Sequence, residues 1–281
     1  MKTPAFLRAL IHLMAFAVFF NTAALAVTLE KPYDHSLWDQ FLKTYVNDKG
    51  EVDYASVQAH PEPLYAYLDQ ISSLNVKDFI SWPREERLAL TLNLYHAGVI
   101  YQVIKHYPIK TIQEIPGVWD LPSVKIGKSV YSLNKVRDSL LIKEFRDEKI
   151  NAALSSGARG FPVLRTEAFT GPKLEGQLYL AARAFVNDPV RNPIVAGKKR
   201  LQISRIFKWY AEDFKLDFGA PDEDGKFDVR ENAVLGFLAY YLDDKSKIEY
   251  LETRNYKIKY PPFDWGLNDW RSTASSASSV A

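Results

Sequence analysis

Three polar side chains within a strongly apolar stretch of the chain are the first candidates for chemistry. Asn93, Tyr95 and His96 lie within RLALTLNLYHAGVIYQVIKHY, which is otherwise largely hydrophobic. Leaving a buried polar group unpaired costs about 1–3 kcal/mol, so each of these groups needs a partner. Asn93 and His96 are three residues apart and share a helix face. Two interpretations remain open: an internal network that fixes helix packing, or a site in which His96 is a general base.

Small residues follow an apolar run at positions 155–162, where the chain reads SSGARGFP. Such a segment allows close backbone approach and can leave N–H groups free to hold an anion. Arg159 is suited to clamping a carboxylate or a phosphate, and Ser156 becomes a nucleophile only if a base such as His96 activates it. The alternative is a tight structural turn in which Arg159 pairs within the protein, for example with Glu167.

A third cluster, KWYAED at positions 208–213, combines aromatic and charged residues. We expect its apolar members to pack in the core and its charged members to form a solvated helix face.

Common catalytic and cofactor motifs are missing. The chain contains no GxSxG, GxxxxGK[ST], HExxH or GxGxxG pattern. The histidines at 35, 60, 96 and 106 have no partners at metal-ligand spacing, and the absence of cysteine excludes thiolate chemistry. We therefore predict no metal site and no cofactor.

The segment that carries Asn93 and His96 is predicted to be the strongest helix of the chain. Ser81 is a candidate cap, Pro83 suits the first turn, and the helix must end before Pro108. Because apolar residues cover nearly every side of this helix, we expect it to lie buried at the centre of the fold.

Shorter elements are predicted around that helix. Apolar spacing predicts helices over residues 34–45, 63–74, 171–187, 204–214 and 229–242. Alternation on both sides of Gly127-Lys128 predicts a hairpin, and the segments 52–54, 201–203 and 256–260 are typical of short extended pieces. We predict an α+β fold: a mostly helical single domain with a central buried helix and a small antiparallel sheet or hairpin.

The first residues contain the three parts of an export signal in the right order. Lys2 and Arg8 precede an apolar run from Ala9 to Phe20, and Ala24-Leu25-Ala26 is the small-x-small pattern of a cleavage site. The run is shorter than the about 20 residues of a membrane span. We predict a signal peptide at 1–26, a globular domain at 27–270 and a disordered tail at 271–281. The protein is expected in the periplasm of a Gram-negative bacterium or secreted, with no membrane span after cleavage.

Removal of the export signal also changes the charge balance. Without Lys2 and Arg8, the 36 basic residues fall to 34, which equals the 34 acidic residues. A neutral mature chain lacks the basic footprint that nucleic acid requires. We predict no nucleic-acid partner, and the sequence leaves the oligomeric state open.

Four blocks of the chain resemble a family known as domain of unknown function 547, which occurs in bacteria and plants. The blocks, which fall between Val52 and Trp270, are NLYHAGVIYQVIKHYPIKTI, INAALSSGARGFPVLRTEAFTG, LQISRIFKWYAEDF and FDWGLNDW. Members of that family usually carry Cys at the positions of Ser156 and Phe161, and His at the position of Asn151. The resemblance therefore implies a thiol hydrolase or transferase pattern that this chain has lost.

Together these features predict a binding protein without robust catalysis. Asn93, Tyr95, Arg159 and Glu167 are the candidate ligand-binding residues, because Arg159 favours a small anionic ligand or a protein partner that presents a carboxylate. One alternative is a hydrolase or acyl transferase in which His96 activates Ser156. Another is an interaction scaffold without a functional pocket.

Overall fold

A computed structural model describes residues 32–222 and 225–271. The predicted signal peptide lies outside the described residues, and so does the predicted tail apart from Arg271. Among the described residues, no helix combines the length and the apolar character that crossing a bilayer requires.

The described part of the chain is mostly helical, with two pairs of short strands. Its α-helices are α1 (Ser36–Tyr45), α2 (Tyr54–Ala59), α3 (Glu62–Ser72), α4 (Val76–Ser81), α5 (Arg84–His106), α6 (Leu133–Lys135), α7 (Ile150–Ala153), α8 (Leu174–Asn187), α9 (Arg205–Trp209), α10 (Lys215–Phe218), α11 (Val229–Tyr241) and α12 (Lys245–Glu252). A π-helix (Val136–Lys143) continues α6, and single 3-10 turns cover Ile112–Glu114 and Gly171–Lys173. The strands are β1 (Pro122–Ile126), β2 (Ser129–Ser132), β3 (Arg200–Gln202) and β4 (Lys257–Lys259).

Helix α5 is the buried centre of the fold, as its composition predicts. Nearly all of its side chains from Glu86 to Ile104 are buried. Pro83 is its N-cap, while Ser81 belongs to the preceding helix α4. Glu85 and Glu86 occupy the first turn, where negative charge complements the helix dipole. The α+β, mostly helical class with a central helix and a small antiparallel sheet is thus confirmed.

The antiparallel sheet is the predicted hairpin, in which β1 pairs with β2. Gly127 takes a φ of +55° at the turn, a conformation that favours glycine. A second pair was not expected: β3 runs parallel to β4, with Leu201 opposite Ile258. The predicted extended piece at 52–54 is correct for Val52 only, because Asp53 accepts the Ser56 N–H at 3.0 Å and caps α2 from Tyr54 onward.

Two clusters of buried hydrophobic side chains form the interior. The first surrounds α5 and includes Trp38 and Phe169, and the second surrounds α8 and α11 and includes Phe207 and Phe237. Residues 150–164 contribute to both, since Leu154 packs in the first cluster while Phe161 packs in the second. The glycine-rich segment therefore lies where the two clusters meet.

Candidate functional site

The segment 155–162 is held in place by the chain's last described residues. Arg159 and Gly160 donate their N–H groups to the carbonyls of Gly266 and Asp264, at 2.8 and 2.9 Å. In return, the Asn268 N–H donates to the carbonyl of Gly157 at 3.1 Å. Blocks that are about a hundred residues apart in sequence thus build one backbone frame.

Gly157 is the residue of this segment whose backbone conformation favours glycine. Its φ is +80°, and a Cβ atom there would lie 3.1 Å from both Val99 and Ile112. Both the positive φ and the close contacts with Val99 of α5 and with Ile112 therefore oppose a side chain here.

Ser155 and Ser156 line two different pockets. Ser155 lies in a pocket of about 460 Å³, which we call the arginine pocket; its walls include Arg159, Arg191, Ser204, Arg205 and Asp264. Ser156 lies in a pocket of about 280 Å³, which we call the aromatic pocket; it is lined by Tyr95, Trp119, Asn134, Arg137, Ser156, Phe161, Trp209, Tyr210 and Trp265. The glycine-rich segment is the wall between them.

Three guanidinium groups of the arginine pocket are oriented by backbone carbonyls. Arg159 Nη1 donates to Leu267 at 3.2 Å, Arg191 Nε donates to Phe161 at 2.6 Å, and Arg205 Nε donates to Pro261 at 2.9 Å. Such bonds restrict the rotamers of long side chains before any ligand arrives.

Two of these arginines are also paired with carboxylates. Arg159 donates to both oxygens of Asp264, at 2.9 and 3.2 Å, and Arg191 forms an ion pair with Asp188. Although burial opposes the shift, the bonds from Arg159 and from the Gly266 N–H hold the pKa of Asp264 below its usual value. Of the three arginines, Arg205 is the one that has no carboxylate within 4.0 Å among the described residues, so its charge is available to a ligand.

The hydroxyl of Ser156 forms a hydrogen bond with the phenol of Tyr95. Its Oγ lies 2.9 Å from the hydroxyl of Tyr95, and both side chains are buried. Burial raises the pKa of Tyr95 well above its usual value, although the bond to Ser156 opposes the shift. The phenol is therefore protonated at neutral pH and cannot accept the serine proton.

His96 contacts the backbone beside Ser156. Its Nε2 accepts the Ser155 N–H at 3.2 Å, so that lone pair is already in use. Burial lowers the pKa of His96 to about 4, and a hydrogen bond with the backbone of Ala153 offsets this in part. The structure thus places a neutral His96 next to the segment, with its acceptor nitrogen bonded to the backbone.

Asn93 and Glu167 lie apart from both pockets. Asn93 exchanges two hydrogen bonds with the backbone of Phe169, at 2.8 and 3.0 Å, and its Nδ2 lies 3.2 Å from Nδ1 of His35. These contacts match the internal network that was one of the two sequence interpretations. Glu167 pairs with Arg165, and Asp264 takes the place beside Arg159.

The cluster at 208–213 differs from its sequence prediction. Helix α9 ends at Trp209, which is 40% exposed and lines the aromatic pocket. The next residues turn back toward Arg137: the Arg137 guanidinium lies 3.6 Å from the ring centre of Tyr210 and donates to Asp213 at 3.0 Å. The prediction is therefore wrong for Trp209, which is exposed, and for Asp213, which is paired with Arg137, while Tyr210 packs against the second hydrophobic cluster as expected.

The positions at which the family resemblance implies Cys and His lie together. Ser156 and Asn151 both line a small cavity next to the aromatic pocket. Asn151 donates to Asp213 at 2.9 Å and accepts from Arg137 at 2.8 Å. Where the resemblance implies an ionisable imidazole, this chain therefore has an amide whose oxygen and nitrogen both form hydrogen bonds.

The fold and the site define an α+β protein, mostly helical, in which one glycine-rich segment separates an arginine pocket from an aromatic pocket. Residues 79–186 match the family model described as protein of unknown function, DUF547. This match confirms the resemblance for a stretch that includes α5 and the glycine-rich segment. No curated protein and no solved structure matched the chain.

Proposed function

We propose that this protein binds a small anionic ligand in the arginine pocket and does not use Ser156 as a nucleophile. One observation carries the proposal: Arg159, Arg191 and Arg205 come from three separate segments and line a single pocket of about 460 Å³. Arginine is suited to planar recognition of carboxylate and phosphate groups because its donors form a rigid fork.

The charges of the pocket support an anion. Its lining has four cationic side chains, at 49, 159, 191 and 205, and three acidic ones, at 51, 188 and 264. Arg205 is the least committed of the three arginines, because one of its five N–H groups is bonded within the described residues. Ser155 and Ser204 add hydroxyl groups to the same walls.

The arginine side chains are held in place before a ligand binds, which supports a preformed binding site. Arg159 and Arg191 are already tied to Asp264 and Asp188, so their main role is to shape the pocket and to shift its potential. Arg205 then supplies the direct contact. A protein partner that presents a carboxylate would use the same chemistry, and it is the alternative ligand.

Isothermal titration tests the proposal, with inorganic phosphate and succinate as the probes. Arg205→Gln should weaken the binding of the preferred anion about tenfold or more, because a hydrogen bond to a charged group contributes about 1.5–3 kcal/mol. Arg159→Ala should weaken it as well. Arg183→Gln is the matched control, since this arginine pairs with Asp243 on the surface outside the pocket. Equal, weak heats for all four proteins would exclude the anion site.

We also propose that the protein is exported and that its mature form begins at Val27. The support is the order of basic, apolar and small residues between Lys2 and Ala26. Mass spectrometry of the protein from the periplasmic fraction of a Gram-negative host should give the mass of a chain that begins at Val27. A chain that retains residues 1–26, or one confined to the cytoplasm, would contradict this proposal.

A further inference from the structure

We propose that the aromatic pocket is a second binding site, which takes a neutral pyranose ring from a sugar or glycan. The pocket is separate from the arginine pocket and is not needed for the proposed anion binding. Three features carry the inference: flat aromatic walls, an absence of free charge, and hydroxyl groups at the floor.

The walls of the aromatic pocket are indole rings, two of which pack against Phe161. Phe161 packs edge-on against Trp119 and Trp265, with ring centroids 6.4 and 6.0 Å away. Trp209 lies 5.7 Å from Trp265, and its side chain is 40% exposed. The faces of aromatic rings carry partial negative charge and attract the polarised C–H bonds that one face of a pyranose presents.

The size of the pocket suits one ring. Its volume of about 280 Å³ is slightly less than the roughly 300 Å³ at which pockets for drug-sized ligands begin. A volume of this size fits a single ring with its substituents better than an extended chain.

The charge of the pocket is balanced before any ligand enters. Arg137 is the ionised side chain among its described lining residues, and it donates to Asp213 at 3.0 Å and pairs with Asp138. Its guanidinium also covers the face of Tyr210 at 3.6 Å. An anion would gain little attraction here, and a neutral ligand would displace no ion pair.

The floor is polar in the way that a hydroxyl-bearing ligand requires. The hydroxyls of Tyr95 and Ser156 lie 2.9 Å apart at the base of the pocket, and each can donate or accept. Asn134 adds an exposed amide at the side, although its Nδ2 already donates to Asp120 at 2.9 Å. A proline-rich peptide would use the aromatic walls but offers no hydroxyl groups to this polar floor, so we favour the sugar.

Tryptophan fluorescence of the full chain tests this site directly, because three of its six tryptophans line the pocket. The probes are methyl β-glucoside, methyl β-galactoside and N-acetylglucosamine. We expect a saturable change with at least one sugar. Trp209→Ala should weaken binding up to about tenfold, and Ser156→Ala should weaken it about three- to tenfold. Trp270→Ala is the matched control, because Trp270 is 41% exposed outside the described pockets and should leave the affinity unchanged.

Several results would overturn the sugar site. No response of the wild-type protein to any of the three sugars is one, and equal effects of Trp209→Ala and Trp270→Ala are another. Binding of a proline-rich peptide in place of the sugars would assign the pocket to a peptide instead. Thermal unfolding of each variant shows whether it is folded. Arg205→Gln should retain sugar binding, so failure of the anion site and failure of the sugar site can be told apart.

Discussion

At the scale of single residues, the structure separates the groups that the sequence places side by side. Ser155 and Ser156 are neighbours in the chain, yet they line different pockets. The backbone N–H of Ser155 donates a hydrogen bond to His96, and the hydroxyl of Ser156 forms a hydrogen bond with the hydroxyl of Tyr95. The chemistry of each serine therefore depends on which face of the segment it occupies.

The contacts of Ser156 predict an unreactive hydroxyl. Its partner, Tyr95, is a protonated phenol, and the acceptor nitrogen of His96 is bonded to the Ser155 N–H. A fluorophosphonate probe should not label the wild-type protein, and Ser156→Ala should give the same blank result. A serine hydrolase in the same reaction controls for the probe. Labelling that disappears in Ser156→Ala would restore the hydrolase alternative.

The burial of Glu148 predicts that the free energy of unfolding depends on pH. Glu148 is 3% exposed, and burial, together with a hydrogen bond that its protonated carboxyl donates to Asp217, raises its pKa from 4.5 to about 7. A carboxyl with a raised pKa stabilises the fold in its protonated form. That contribution is complete below pH 4.5 and is lost as the pH rises through about 7.

Glu148→Gln should remove this dependence, because glutamine keeps the shape of the protonated carboxyl and cannot ionise. Urea unfolding should show the variant to be more stable than wild type near pH 8 and similar to it near pH 5. Glu249→Gln is the matched control on the exposed surface, since the Glu249 side chain is 62% exposed. A parallel pH dependence of Glu148→Gln and wild type would contradict the prediction.

At the scale of elements, the local features were predictable and the long-range ones were not. The C-terminal end of α5, the hairpin turn at Gly127 and the cap of α9 at Ser204 follow from side chains within a few residues, whereas the predicted cap Ser81 lies in α4. The parallel pairing of β3 with β4 joins segments 57 residues apart, as the Leu201–Ile258 pair shows. No local pattern encodes such a pairing.

The same distinction applies to the candidate site. Arg159 was found from its small neighbours, but Arg191 and Arg205 come from other segments, and nothing in their surroundings marks them. Trp209 resembled a core residue because helical spacing does not show where α9 ends. The sequence does predict that Asn93 and His96 are buried polar groups, but it does not indicate their partners, the backbones of Phe169 and Ser155, which are distant in the chain.

The close contact of Gly157 with its neighbours predicts that a side chain at this position destabilises the fold. Gly157→Ala should destabilise the protein by about 2 kcal/mol or more, because a positive φ and a contact 3.1 Å from Val99 and Ile112 both oppose a Cβ atom. Gly197→Ala is the matched control: its φ is +76°, but no atom lies within 4 Å of the added Cβ. It should cost only the backbone strain, about 1 kcal/mol. Equal losses in urea unfolding would show that contact with α5 does not matter.

At the scale of the whole molecule, the two hydrophobic clusters should unfold together. Residues 150–164 contribute side chains to both, and the last described residues bond to the same segment. Calorimetry should therefore show one transition in which the calorimetric and van't Hoff enthalpies agree. Two separate transitions would contradict the predicted single domain at 27–270.

The molecule as a whole holds two chemically distinct pockets on one frame. The described lining of the arginine pocket has excess positive charge, and in the described lining of the aromatic pocket the one ionised side chain, Arg137, is neutralised by carboxylates. Binding of an anion and binding of a neutral ring can therefore be removed separately, by Arg205→Gln and by Trp209→Ala.

A crystal structure of the protein with saturating phosphate or succinate tests the central claim most directly. We predict an anion in the arginine pocket, within hydrogen-bonding distance of the Arg205 guanidinium, with the bonds between Arg159 and Asp264 preserved. An empty arginine pocket at saturating ligand, or an anion bound only elsewhere on the protein, would contradict the account.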